Sequence, residues 1–146
     1  MLIGQDEIRK LIPHSGDMCL LSSVTKWDAT HICCTASSHR NANNPLARNG
    51  KVYALTGIEF AAQAMAVHGG LTSLKGKRPR AGFLVNVRDV KTQVACLSDY
   101  ADDLQIDAEQ LMDGGSSVTY SFSIHAGEQK LLSGRAMVVL DAEALA

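Results

Sequence analysis

The chain has 146 residues, 46% of them hydrophobic and 20% charged, with a net charge of -1 at pH 7. That length suits one domain over residues 1–146 with its own core, and the near-neutral balance gives no reason to expect nucleic acid or an anionic membrane as partner. No window approaches the ~18 consecutive apolar residues of a membrane span, and acids interrupt "MLIGQDEIRKLI" where an export signal needs an apolar core, so a cytoplasmic protein is expected.

In chain order, "GQDEIRKLI" reads as a short amphipathic helix stopped by Pro13. "DMCLLSSVTKWD" and "HICCTASS" carry the apolar and β-branched content of two strands. "HRNANNPLARNG", rich in Asn with Pro and Gly, is a loop by composition. A long apolar helix is predicted from Thr56 to about Lys75, broken by "KGKRPRAG".

Beyond it the pattern is all strand. Phe83, Val85 and Val87 alternate in odd phase, then Val90, Thr92, Val94 and Cys96 in even phase. A slip near Arg88–Asp89 predicts a bulge or bend in one long strand. Alternation resumes through Leu104, Ile106 and Ala108, then through Val118, Tyr120, Phe122 and Ile124, and "KLLSGRAMVVL" closes the set. Turns at "DGGS" and "AGEQ" join these last three as an antiparallel meander. One helix that is apolar nearly all round must be wrapped on most sides, so the expected class is α+β, with a curved antiparallel sheet around a central helix.

That helix carries one acid, Glu59, in its first turn. At 100° per residue Glu59, Gln63, Ala66 and Gly70 form a stripe, polar at its head and small further on, that suits the border of a groove for an acyl chain. Thr56-x-x-Glu59 also has the spacing of a capping box, and capping and chemistry both want the side chain at the helix mouth. Cys33 and Cys34 are neighbours on a strand and point to opposite faces, while Cys19 and Cys96 stand alone. Reduced, buried thiols and no metal site are expected. His31 and His125 fall in exposed phases of strands, and His68, opposite Glu59 on the helix, reads as a core or interface histidine.

At these residues the chain resembles a known family. "IPHSGDMCLLSSV" is similar to the "L-P-H-x-x-P-F-L-L-V-D-x-V" opening of the hotdog β-hydroxyacyl-acyl carrier protein dehydratases, and "GIEFAAQAMAVHGG" to their central helix "E-A-x-A-Q-x-x-G". "VRDVKTQVACLSDYADDLQIDAE" resembles their long bent strand, acidic turn and following strand. The nearest likeness is to a divergent branch with "PH-x-G-D-M-C-L-L" and "I-E-F/Y-A-A-Q-A-M-A-V-H", associated with aryl-polyene-type biosynthetic clusters.

The resemblance implies a hotdog fold and removal of water from a β-hydroxyacyl thioester carried on phosphopantetheine, with no resident cofactor. A histidine would take the α-proton, and the helix carboxyl of the other subunit would serve the leaving hydroxyl. A backbone N–H near the helix start would polarise the thioester carbonyl. By position the acid is Glu59, with Gln63 behind it, and Gly57 would leave room for the thioester. The family's histidine lies in "G-H-F-P-G", fourteen residues before the acid, where this chain has Pro45. His39 is the candidate base, with Asn44 as an alternative that orients water or substrate. His14 matches the family's "P-H" turn and takes a structural role.

Lys75, Lys77, Arg78 and Arg80 would form a solvated loop or dock an acidic acyl carrier protein or a coenzyme A phosphate. The implied alternatives are an acyl-coenzyme A or acyl-carrier thioesterase, and a non-catalytic partner subunit of a hetero-oligomeric dehydratase. A dimer at least, of identical chains or with a second hotdog protein, is expected to cover the long edge strand.

Overall fold

A computed structural model describes residues 3–12, 19–41, 43–72, 83–114 and 117–139. The N-terminal strand β1 (Ile3–Gly4) leads directly into helix α1 (Gln5–Leu11), whose one buried residue is Ile8. Strands β2 (Ser23–Trp27) and β3 (His31–Ala36) form a hairpin, and a 3-10 turn over Ser38–Arg40 opens the long loop. A second 3-10 turn, Ala54–Thr56, runs into helix α2 (Gly57–Thr72). Strand β4 (Phe83–Thr92), a third 3-10 turn at Leu97–Asp99, and strands β5 (Leu104–Asp113), β6 (Ser117–Ala126) and β7 (Gln129–Val139) follow.

The strands form one antiparallel sheet in the order β1-β2-β3-β5-β6-β7-β4. Its meander β5-β6-β7 is the one the alternation predicts, and Gly127, at φ 59°, turns the β6–β7 hairpin where only glycine is unstrained. Every second residue of β6, from Val118 to Ala126, points to the helix side and is buried. Phe60, Ala61, Ala64, Met65, Val67 and Leu71 of α2 bury against that face, in one core with Ile106, Tyr120, Phe122 and Ile124. This burial supplies the main driving force for the fold, at roughly 25 cal/mol per Å² of apolar surface removed from water.

The predicted slip in the long strand is present. Pairing of β4 with β7 shifts between Arg88 and Lys91, and Asp89 adopts φ 55° within the bulge. A further shift falls between Leu84 and Asn86. The strand ends at Thr92 rather than running on to Cys96. Cys96 bridges to Tyr53 instead, and Ala54 N–H donates to Ala95 O at 2.9 Å, so the chain leaves the sheet to hold the start of α2.

Three other expectations need correction. The first long strand begins only at Ser23, because Leu20 and Leu21 are buried in extended chain that pairs with side chains rather than with a strand. The capping box is not formed: Thr56 already lies in the 3-10 turn, and its hydroxyl donates back to Tyr53 O at 2.6 Å. His31 and His125 are half-buried rather than solvated, His31 lying 3.6 Å from Asp107 and His125 having its Nδ1 sealed from solvent.

All four cysteines are buried and free. Cys33 and Cys34 lie on opposite sides of β3, and burial, the largest influence on each, pushes both thiols up. Among the described residues no cluster of His, Cys, Asp or Glu would hold a metal ion, and no helix is long and apolar enough to cross a membrane.

Candidate functional site

The helix α2 brings Glu59 to the surface. Of its residues only Glu59 and Thr72 are exposed, and Glu59 makes no hydrogen bond or ion pair with another described residue. Leu55, 63% exposed, and Tyr53, 41% exposed, flank it on the preceding turn. The acid therefore stands on an apolar rim that no other described residue covers. Its half-covered neighbours along α2 are Ile58, Ala62, Ala66 and Gly69, all on one side of the helix.

The expected stripe of Glu59, Gln63, Ala66 and Gly70 is thus divided. Gln63 is 3% exposed and turns inward, where its Oε1 accepts the Leu20 N–H at 2.8 Å. Gly70 faces α1: a Cβ there would stand 3.0 Å from Leu11 Cδ2, so the space expected for an acyl chain is taken by Leu11. Gly57 is small for a similar reason, since a Cβ would meet Leu132 at 2.7 Å and Ile124 at 3.2 Å. Its N–H is turned to the carbonyls of Ala54 and Leu55 within the helix start. Ala66 alone of the small residues in the stripe remains half-exposed.

His39 lies in the 3-10 turn after β3 and is 1% exposed. Its Nε2 is 3.0 Å from Tyr100 O. A carbonyl only accepts, so Nε2 carries the proton and Nδ1 is the bare nitrogen. That Nδ1 is sealed from solvent and has no partner among the described residues. Burial, the largest influence, holds the ring below the usual histidine range despite the bond to Tyr100. A cavity of about 300 Å³ opens beside the turn, lined by His39, Arg40, Val52, Ser98 and Tyr100 among others. Arg40, itself a lining residue, pairs with Asp103 at 2.9 Å and donates to the carbonyl of Ala101 on the cavity wall.

Asn44 is 5% exposed and fully engaged by the loop. Its Nδ2 donates to Ser38 O and its Oδ1 accepts the Leu46 N–H, each at 2.8 Å. His68 is a core histidine: Nε2 donates to Asp28 O at 2.9 Å, and the Tyr120 hydroxyl donates to Nδ1 at 2.7 Å. His14 and the cations Lys75, Lys77, Arg78 and Arg80 lie outside the described residues.

Sequence reasoning missed the Tyr100 carbonyl as the group that orients His39. No side-chain signal marks a backbone acceptor in a loop. It also missed the exposed Tyr53 and Leu55, which bracket the start of the helix and were readable as apolar residues in a polar loop.

No match was found among the curated proteins. Among solved structures, the dehydratase heterocomplex ApeI:P from Xenorhabdus doucetiae matches at TM-score 0.84 and 23% identity, covering 94% of this chain and 92% of that one. Zebra fish thioesterase superfamily member 2 matches at TM-score 0.64 and 13% identity, covering 93% and 94%. A thioesterase of Pseudomonas aeruginosa, a Gln-to-Ala mutant, matches at TM-score 0.66 and 10% identity, covering 96% of each chain. These likenesses establish the hotdog fold that the helix-wrapping sheet displays. The profile of the ApeP-like family, described as ApeP dehydratase, matches residues 6–145. With nearly its whole length matched, the chain belongs to the ApeP-like family of dehydratase-type hotdog proteins.

Proposed function

We propose that the chain is a subunit of a β-hydroxyacyl thioester dehydratase whose acid and base meet across a subunit boundary. Glu59 supplies the acid. The substrate is a β-hydroxyacyl group on the phosphopantetheine of an acyl carrier protein, which makes that arm part of the substrate and leaves no resident cofactor to invoke. The base takes the α-proton, the electron pair forms the carbon–carbon double bond, and the β-hydroxyl leaves as water with the proton from Glu59. The run Lys75, Lys77, Arg78 and Arg80 is the proposed dock for the acidic carrier protein.

The observation that carries this reading is the exposure of Glu59 on an apolar rim with no partner among the described residues. A carboxylate kept for capping or for a surface ion pair would be engaged within the chain. His39 is this chain's candidate base, with its tautomer set by Tyr100 and Nδ1 left bare. Asn44 is bound into its loop on both side-chain atoms, which favours His39 over it.

A second reading has its own support. The sealed Nδ1 of His39 and the likeness to a dehydratase heterocomplex favour a chain that lends Glu59 to a site whose histidine comes from a different hotdog protein. One experiment separates the two. Enoyl formation from a β-hydroxyacyl carrier protein is followed by mass spectrometry, for the chain alone and with a hotdog dehydratase partner. Glu59→Gln is expected to lower the rate by a factor of about 100 or more, and equal rates would remove Glu59 from the mechanism. Loss of turnover in His39→Ala for the lone chain supports a site built from identical chains. Full turnover of His39→Ala only with the partner present assigns the base to that partner. Release of free thiol without enoyl product would make the chain a thioesterase.

A further inference from the structure

The face of the sheet turned away from α2 carries a charge pattern that dehydration does not use. Strand register sets it out in rungs. One runs His31, Glu109, Ser121, Arg135, Arg88 across β3, β5, β6, β7 and β4, and the next runs Cys33, Asp107, Ser123, Ser133, Lys91 across the same strands. Acids stand on β5, hydroxyls on β6, and cations on β7 and β4, with one further acid, Asp89, in the β4 bulge. Most of these side chains, together with Asp89 and Lys130, line one open trough of about 530 Å³, floored by Ser121, Ser123 and Ser133. Asp107 lies 3.6 Å from His31, whereas Glu109, Lys91, Lys130 and Arg135 form no ion pair with any described residue.

A short-sided floor between an acidic rim and one in which Lys91, Lys130 and Arg135 outnumber Asp89 is complementary to itself. Two sheets related by a two-fold and packed face to face place the axis in the plane between them. An axis across the strands lays β5 over β5 and sets acid against acid. An axis along β6 lays β5 of one copy over β7 of the other. Glu109 then meets the second copy's Arg135, and Asp107 meets Ser133 with Lys91 beside it. The serines allow the backbones to approach, and the long charged side chains close the flanks.

We infer that this outer trough is an interface between two copies of the chain, with the two-fold axis running along β6. It lies on the side of the sheet away from α2, and so it stands independently of the proposed role of Glu59 and leaves the open edge of β4 available for pairing.

The test reverses one exposed pair. Wild type, Glu109→Arg, Arg135→Glu and the double variant are compared by sedimentation velocity, as full chains and in complex with the hotdog partner if one binds. Runs at low and high salt (about 0.05 and 0.5 M) bracket the screening of surface charges. Each single variant is expected to weaken formation of the larger species by about tenfold or more, by setting like charges opposite one another. The double variant, and an equimolar mixture of the two single variants, are expected to restore it, and high salt to weaken the wild type. Circular dichroism confirms folding, which substitution at two exposed positions leaves intact. A wild type that shows no larger species, single variants that assemble like wild type, or a mixture that stays apart would each overturn the assignment.

Discussion

His39 gives its Nε2 proton to the carbonyl of Tyr100 at 3.0 Å, and that bond determines which ring nitrogen is bare. The two residues lie 61 positions apart, His39 on one 3-10 turn and Tyr100 directly after another, and these meet only because α2 and the sheet bring them together. A histidine held in this way is preorganised as an acceptor, and it also links the charge state of the ring to stability.

Stability is expected to fall below about pH 6.5. Burial lowers both His39 and His68 from the ordinary value of 6.5. Unfolded chains take up a proton at each site as pH drops through 6.5, while the folded chain resists. The folded state therefore loses stability from there down to the depressed folded values, and none is lost above. The slope is at most about 1.4 kcal/mol per pH unit per histidine. Urea midpoints at pH 8, 6.5 and 5.5 measure this, and a flat profile would show that neither ring is held neutral.

Replacing Gln63 by Leu is expected to cost about 1–3 kcal/mol, because the Leu20 N–H loses its buried acceptor at 2.8 Å. Chemical denaturation reads the loss directly. A variant as stable as wild type would mean that the segment before β2 finds another acceptor.

Gly50 offers a clean test of backbone strain. Asn49 and Gly50 adopt φ of 53° and 75°, and Arg48 and Lys51 exchange backbone hydrogen bonds of 2.8 and 3.0 Å around them. This is the arrangement of a tight turn with both central residues left-handed. Nothing lies within 4 Å of where a Cβ would stand, so Gly50→Ala changes only the conformational preference. A loss of about 1 kcal/mol is expected, and a thermal midpoint equal to wild type would show that the turn relaxes.

Glu59→Gln should leave the fold almost untouched. The side chain is exposed and unpaired among the described residues, so only its favourable position in the first helical turn is lost, worth about 0.3–1 kcal/mol. A cooperative melt within a few degrees of wild type is the expected result. A large drop in melting temperature would mean that any loss of activity reports on folding instead of chemistry.

Local periodicity determined the architecture. Alternation through Val118, Tyr120, Phe122 and Ile124 marked a strand with one buried face, and the phase change at Arg88–Asp89 marked the bulge, because a side-chain period of two is written residue by residue. The apolar circumference of α2 likewise required a sheet to wrap it. The Asn-Gly pair at 49–50 has the composition of a tight turn, though it lies within a longer loop of similar composition.

Tertiary structure alone decided the roles of the polar and small residues along α2 and its preceding loop. Gln63 turns to an N–H 43 positions away, Gly57 makes room for Leu132, and Gly70 for Leu11. Helical spacing placed Glu59, Gln63 and Gly70 on one stripe, but it contains nothing about which neighbours arrive from the sheet and from α1. Those distant partners left Glu59 uncovered and closed the space beside the other two, since burial depends on contacts made across the whole chain.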